Sequence, residues 1–147
     1  MVFADFKVLT FDIVGTCIDF EKGVLDGFRA AGGAAAAKLT DDEIFEAYLK
    51  AREGFPGAAS AVKRDVYLVA AMTLGLPADD AAADCYFRFF FGAPAFPDSV
   101  DALRRLRRKF RLVAMTNYDR VAFTNCATKL GLPFHDSVTS DEARYPK

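Results

Sequence analysis

Two short β-forming runs stand far apart in this 147-residue chain, and what separates them reads almost entirely as helix. The first, Lys7-Val8-Leu9-Thr10-Phe11, is a run of β-formers of the kind found in strands buried on both faces. The second, Leu112-Val113-Ala114-Met115, has the same character. A third, shorter strand is expected near Ser137 to Thr139. Helical signals fill the interval from Glu21 to Phe91. A first helix over Glu21 to Ala31 meets Gly32-Gly33, and the Ala/Gly-rich piece from Ala30 to Ala37 reads as either a loop or a close-packed helix turn. Thr40 and Glu43 have capping-box spacing, since each can satisfy a free amide at a helix start. The next helix places Ile44, Phe45, Tyr48 and Leu49 on one stripe, and Gly54, Pro56 and Gly57 break it. Ser60 to Leu74 forms another, closed by Gly75 and Pro77. Asp79 or Asp80 caps a fourth, which runs into Phe87-Arg88-Phe89-Phe90-Phe91. After Pro94 the rhythm changes: Asp98 is expected to cap a helix with Val100, Leu103 and Leu106 inward, and Asp119 another that runs to Leu130. Strand, four helices, then helix–strand–helix–strand is an α/β fold. It predicts a Rossmann-like parallel sheet with helices on both faces and an inserted all-α cap. The expected domains are a core over 1–18, a helical cap over 19–95, and a second core segment over 96–147.

Composition narrows the function. Nineteen basic and twenty acidic side chains give a formal net charge of −1, against the basic surplus expected of a nucleic-acid binder. The basic run Arg104, Arg105, Arg107, Arg108 and Lys109 reads as a solvated face whose charge suits a helix C-terminus. Hydrophobic residues make up 52%, enough for a globular core. Cys17, Cys85 and Cys126 are odd in number and widely spaced, which fits neither a disulfide framework nor a zinc pattern, so a reducing, cytoplasmic setting is expected. The first seven residues carry acid and base too early for a signal peptide. The longest apolar stretch, Val66 to Leu76, is short of the ~20 residues that span a bilayer. No membrane and no nucleic-acid partner is expected.

In open parallel sheets, ligands bind at the carboxyl ends of the strands. Asp12 follows the first strand, Thr116-Asn117 the second and Lys147 the third. A carboxylate, a hydroxyl with an amide, and an ammonium from three strands can hold an anion beside a nucleophile. Gly15 allows a sharp turn after Asp12, and the Thr16 hydroxyl can orient the carboxylate. Read singly, Asp12 is also an ordinary strand-end acid, and Thr116-Asn117 an ordinary helix cap.

Phe11-Asp12-Ile13-Val14-Gly15-Thr16, followed by Ile18-Asp19, resembles the first signature of the haloacid dehalogenase superfamily, and Met115-Thr116-Asn117 resembles the second. Pro97-Asp98, Leu74-Gly75-Leu76-Pro77 and Gly131-Leu132-Pro133-Phe134 are similar to phrases typical of it. The resemblance covers the whole chain and makes the helical insert the superfamily's cap. It implies that Asp12 is a nucleophile forming an ester with substrate, that Thr116 binds the substrate's anionic group, and that Asn117 holds that group or the leaving group. Lys147, in Tyr145-Pro146-Lys147, resembles the third signature's lysine, which restrains the nucleophile.

Val14 departs from the phosphatase members, where the residue two after the nucleophile is an aspartate that protonates the leaving alkoxide and later activates water. A halide leaving group needs no proton, only donors that stabilise its charge. The resemblance therefore favours the 2-haloacid dehalogenase-like branch, a small anionic organic substrate, and neither metal nor cofactor. The alternatives are a phosphatase-like or phosphonate-cleaving relative, the latter needing a cap lysine for an imine (none of Lys38, Lys50 and Lys63 stands out), and a non-catalytic binding module. The dehalogenases also use a cap arginine for the halide. Arg52, in Tyr48-Leu49-Lys50-Ala51-Arg52, is the candidate, with a surface cation as its plain reading. His135 reads as a loop or strand-edge histidine, and Cys17 as a buried inert thiol. The fourth signature would lie beyond Lys147. The expectation is a chain that continues, or one truncated with its first strand as an open edge, inactive alone and prone to a strand-exchanged homodimer.

Overall fold

The computed structural model describes residues 5–56 and 59–143. The chain divides into two compact units, one of residues 1–19 and 94–147, the other Phe20–Ala93.

The first unit holds a three-stranded parallel sheet in the order β1-β2-β3: β1 is Val8–Phe11, β2 Arg111–Met115 and β3 Asp136–Val138. Phe11 lies opposite Ala114, and Met115 opposite Val138, so the three carboxyl ends share one edge. Strand β2 is central and alternates, with Leu112 and Ala114 fully buried. Strand β1 departs from the expectation of burial on both faces, because Val8 is 46% exposed and Thr10 exposed in the same way along one face. Among the described residues β1 pairs with β2 alone. Two helices of this unit, α5 (Ser99–Arg107) and α6 (Arg120–Lys129), bury Leu103, Ala122, Phe123 and Ala127. The basic run at the end of α5 is exposed, and Arg104 pairs with Asp101 at 2.7 Å. Asp98 does not cap α5 as expected. Its backbone is helical (φ −91°, ψ −16°), so its carboxylate makes no capping bond; a cap needs extended φ/ψ to turn its side chain back onto the first amides. Asp119 has that conformation and accepts from the Ala122 amide at 3.0 Å.

The second unit is four helices: α1 (Phe20–Ala36), α2 (Asp41–Glu53), α3 (Ala59–Leu74) and α4 (Asp80–Phe91). Regular helix ends at the expected Gly32-Gly33 break, and a further helical turn follows it to Ala36. Gly33 kinks the chain there, with φ 52° and ψ −132°, a conformation closed to residues with a Cβ. The Ala-rich piece is thus the helix's last turn, and Ala36 is fully buried. Small residues there let α1 close on its neighbours. At Gly27 an added Cβ would fall 2.7 Å from the Tyr86 ring on α4. Arg29 ties the turn into α2, donating to the carbonyls of Ala36 (2.6 Å) and Leu39 (3.0 Å) and pairing with Asp41 (2.6 Å). The Thr40–Glu43 capping box starts α2. Its inward residues are Ile44, Tyr48 and Ala51; Leu49, expected on the same stripe, is 46% exposed because the face is narrower than the apolar pattern. Helices α3 and α4 are joined by Arg64, which pairs with Asp80 and Asp84. The core is aromatic: Phe28, Tyr67 and Tyr86 meet with ring centroids 4.9–5.0 Å apart.

Candidate active site

The chain leaves β1 through a tight loop whose shape is set by its own backbone. The amides of Cys17 and Ile18 both reach the Ile13 carbonyl, at 2.8 and 3.0 Å, and the Gly15 amide reaches the Ile18 carbonyl at 2.9 Å. Gly15 takes φ +83°, which a side chain would strain. The loop is pinned by Ile18 bridging Ala95 and by the Phe96 amide donating to the Cys17 carbonyl at 3.1 Å. Ile13 and Ile18 are buried anchors, and Asp12 between β1 and this loop is half-buried. The Thr16 hydroxyl donates to the Asp12 carboxylate at 3.2 Å, which fixes one oxygen. The Val14 side chain can neither donate nor accept a proton. The Cys17 thiol lies 3.6 Å from the Asp12 carbonyl oxygen. Burial, with the charges of Asp12 and Asp98, pushes that thiol up to about 11, so it is protonated and inert at neutral pH.

Strand β2 delivers Thr116-Asn117 to the same edge of the sheet as Asp12, as the register requires. Thr116 is buried, its amide donating to the Val138 carbonyl at 3.1 Å and its hydroxyl accepting from the Tyr118 amide at 3.2 Å. A hydroxyl that accepts in this way keeps its own proton to donate to an anion at the strand end.

Sequence reasoning missed the cluster at the end of β3. Thr139 is fully buried, and its hydroxyl lies 2.5 Å from Asp141 and 2.9 Å from Glu142. The Glu142 carboxylate also accepts from the Thr139 amide at 3.2 Å and pairs with Arg120, which in turn reaches the Ser137 hydroxyl at 2.6 Å. The Arg120 guanidinium, with Thr139 second, holds Glu142 down to about 2. The signal was present: Thr139 and Glu142 have the same three-residue spacing as Thr40 and Glu43. Lys147, expected to reach this edge, lies outside the described residues.

In the second unit Arg52 is half-buried near the end of α2 and donates to the Phe55 carbonyl, closing the turn after the helix. His135 is structural. Its Nδ1 accepts from the Leu112 amide at 3.0 Å while its own amide donates to the Leu112 carbonyl at 2.8 Å, extending the β2–β3 pairing by one residue. Among the described residues no helix is long and apolar enough to cross a membrane.

Solved proteins share this fold. The L-2-haloacid dehalogenase of Xanthobacter autotrophicus superposes with a TM-score of 0.71 at 20% identity, over 97% of this chain and 60% of that one. The defluorinating L-2-haloacid dehalogenase Rha0230 gives 0.73 at 19%, over 97% and 63%. YfnB of Bacillus subtilis, a HAD-hydrolase candidate solved with magnesium bound, gives 0.71 at 21%, over 93% and 66%. The chain thus spans about 60% of the length of the Xanthobacter enzyme. These likenesses establish a shared fold. No curated protein matches in sequence. A profile of the haloacid dehalogenase-like hydrolases matches residues 6–147, and on that match the chain belongs to the haloacid dehalogenase-like hydrolase family.

Proposed function

We propose that this protein is the hydrolase of a small 2-haloalkanoic acid, displacing halide through an ester on Asp12. The observation that carries this reading is Val14, two residues after an oriented carboxylate. One Asp12 oxygen is held by Thr16; the other attacks the carbon bearing the halogen. The carbon–oxygen bond forms as the carbon–halogen bond breaks, and the halide leaves with the electron pair. Water then cleaves the ester and returns the carboxylate. An alkoxide leaving group would need a proton from position 14, and valine has none to give. Thr116 and Asn117 bind the substrate's carboxylate, Lys147 restrains Asp12, and Arg52 meets the halide. The 2-haloacid chemistry of the Xanthobacter enzyme and of Rha0230 supports this reading.

A second reading, a magnesium-dependent phosphatase, is favoured by the likeness to YfnB. The experiment compares halide release from 2-chloropropionate with phosphate release from an aryl phosphate, each with and without a strong chelator. Halide release that survives chelation is the expected result. Phosphate release abolished by chelation and restored by magnesium would replace the first reading with the second.

A further inference from the structure

Residues 104–111 hold six cations and no acid, in a chain whose net charge is −1. All six are exposed: Arg104, Arg105, Arg107, Arg108, Lys109 and Arg111. The pull of a helix C-terminus accounts for the cations in the last turn of α5. It does not account for Arg111, which opens β2, or for Lys7, which precedes β1 and whose carbonyl accepts from the Arg111 amide at 2.9 Å. The fold thus gathers like charges around the amino ends of the strands, away from the edge that carries Asp12 and Thr116. Among the described residues, no hydrogen bond or ion pair engages the side chains of Lys7, Arg105, Arg108, Lys109 or Arg111.

A cleft of about 270 Å³ opens beside this run, between α5 and the turn from α6 to β3. Leu130 and Pro133 are buried and Val100 half-buried, which makes its floor apolar, and the exposed Arg104 and Arg107 stand at its rim. Each guanidinium is oriented through Nη1: Arg104 donates to Asp101 at 2.7 Å, and Arg107 to the Leu132 carbonyl at 2.6 Å. Nη2 and Nε of both face no other partner among the described residues.

We infer that this end of the first unit docks an acidic peptide segment of a partner protein, with one large apolar side chain in the cleft and flanking carboxylates on the surrounding cations. Charge and shape select that occupant together. The cations call for an anion, and guanidinium forks match carboxylates in pairs of hydrogen bonds. The apolar floor calls for an apolar group projecting from that anion, as a peptide side chain does. A bilayer surface presents headgroups and a duplex presents phosphate and sugar; neither sends a single apolar group into a cleft. The surface stands apart from the Asp12 edge, so it does not depend on the proposed dehalogenation.

The test is fluorescence anisotropy of the whole chain with a short labelled polyglutamate peptide carrying one central phenylalanine. At low ionic strength it should bind about tenfold tighter than the same peptide with a central glycine, and added salt should weaken both. Joint Arg105→Glu and Arg108→Glu substitution should weaken both peptides about tenfold or more. Val100→Phe fills the cleft and should erase the preference for phenylalanine while leaving the salt dependence. No binding by the wild-type chain overturns the proposal, as does equal affinity for the two peptides; these hold even if the variants fail to fold. A preference that survives in folded Val100→Phe also overturns it. Tighter binding of phosphatidylserine vesicles or duplex DNA than of the phenylalanine peptide would replace the partner and overturn it too.

Discussion

The loop after β1 and the interior of the helical unit both place a reactive group, and they do so by opposite means. Asp12 is positioned by seven consecutive residues, 12–18, whose own amides and carbonyls close the turn. Lys63, buried on α3 with its Nζ against the Phe20, Tyr48 and Phe90 rings, is positioned by side chains from three other helices, separated in sequence by as much as the distance from Phe20 to Phe90. A group held by local backbone can change chemistry without changing stability. A group held by packing cannot, because its environment is the core.

Four variations probe that contrast, from the largest effect down. Asp12→Asn should lower halide release by about 10³-fold or more, since an amide is a far poorer nucleophile in the same shape. Its urea midpoint should stay at the wild-type value; an equal loss of stability would show that the loop depends on the charge and not on the backbone. A tenfold loss of activity or less would remove Asp12 as the nucleophile.

The pH dependence of stability tests the packed groups next. The Lys63 amine titrates near 7 when folded and near 10.5 when unfolded, so the unfolded chain binds the extra proton between those values and stability rises with pH. The rise is about 1.4 kcal/mol per pH unit. Burial raises the Cys17 and Cys126 thiols from 9.0 to about 11 and the Tyr48 and Tyr67 phenols from 10.0 to about 12. These groups hold their protons longer when folded, so stability is lost as pH climbs past 9. Urea unfolding across pH 7 to 11 should show a maximum near pH 9, and Lys63→Met should flatten its rising side alone. A wild-type profile flat from 7 to 9 would mean the ring contacts fully offset burial.

Gly27→Ala should cost about 1–3 kcal/mol by forcing Tyr86, and α4 with it, away from α1. A thermal melt measures this, and a variant as stable as wild type would show that the α1–α4 contact yields readily. The smallest effect is expected at Thr40→Ala, about 1 kcal/mol, because the capping box serves one helix start and touches no core contact. A loss above ~2 kcal/mol would place Thr40 in the packed network after all.

The same contrast explains what the sequence made legible. Strand endings and capping boxes are written in consecutive residues, so the Asp12 loop, Thr116-Asn117 and the Thr40–Glu43 box could be read directly. The aromatic enclosure of Lys63 could not, since nothing within α3 distinguishes it from Lys38 or Lys50 until other helices surround it. The Gly32-Gly33 break, by contrast, was legible locally: Gly33 leaves the helical region, and one more turn follows to Ala36. Asp98 shows the converse: the residue type suits a cap, and its helical backbone denies it the geometry. The Thr139–Glu142 cluster was spelled in familiar spacing but came after too short a strand to attract notice.

The thiol beside the proposed nucleophile bears on what the site could survive. A 2-haloalkanoic acid is an alkylating agent, and thiolates are ordinarily its preferred targets over carboxylates. Cys17 lies within van der Waals reach of the Asp12 backbone, so it would be the first casualty of a poised electrophile. Held at about 11, it is ionised in only about one molecule in ten thousand at pH 7. On the proposed reaction, burial would work as chemical immunity: the site would offer a carboxylate that water regenerates while withholding a sulfur whose alkylation would be permanent.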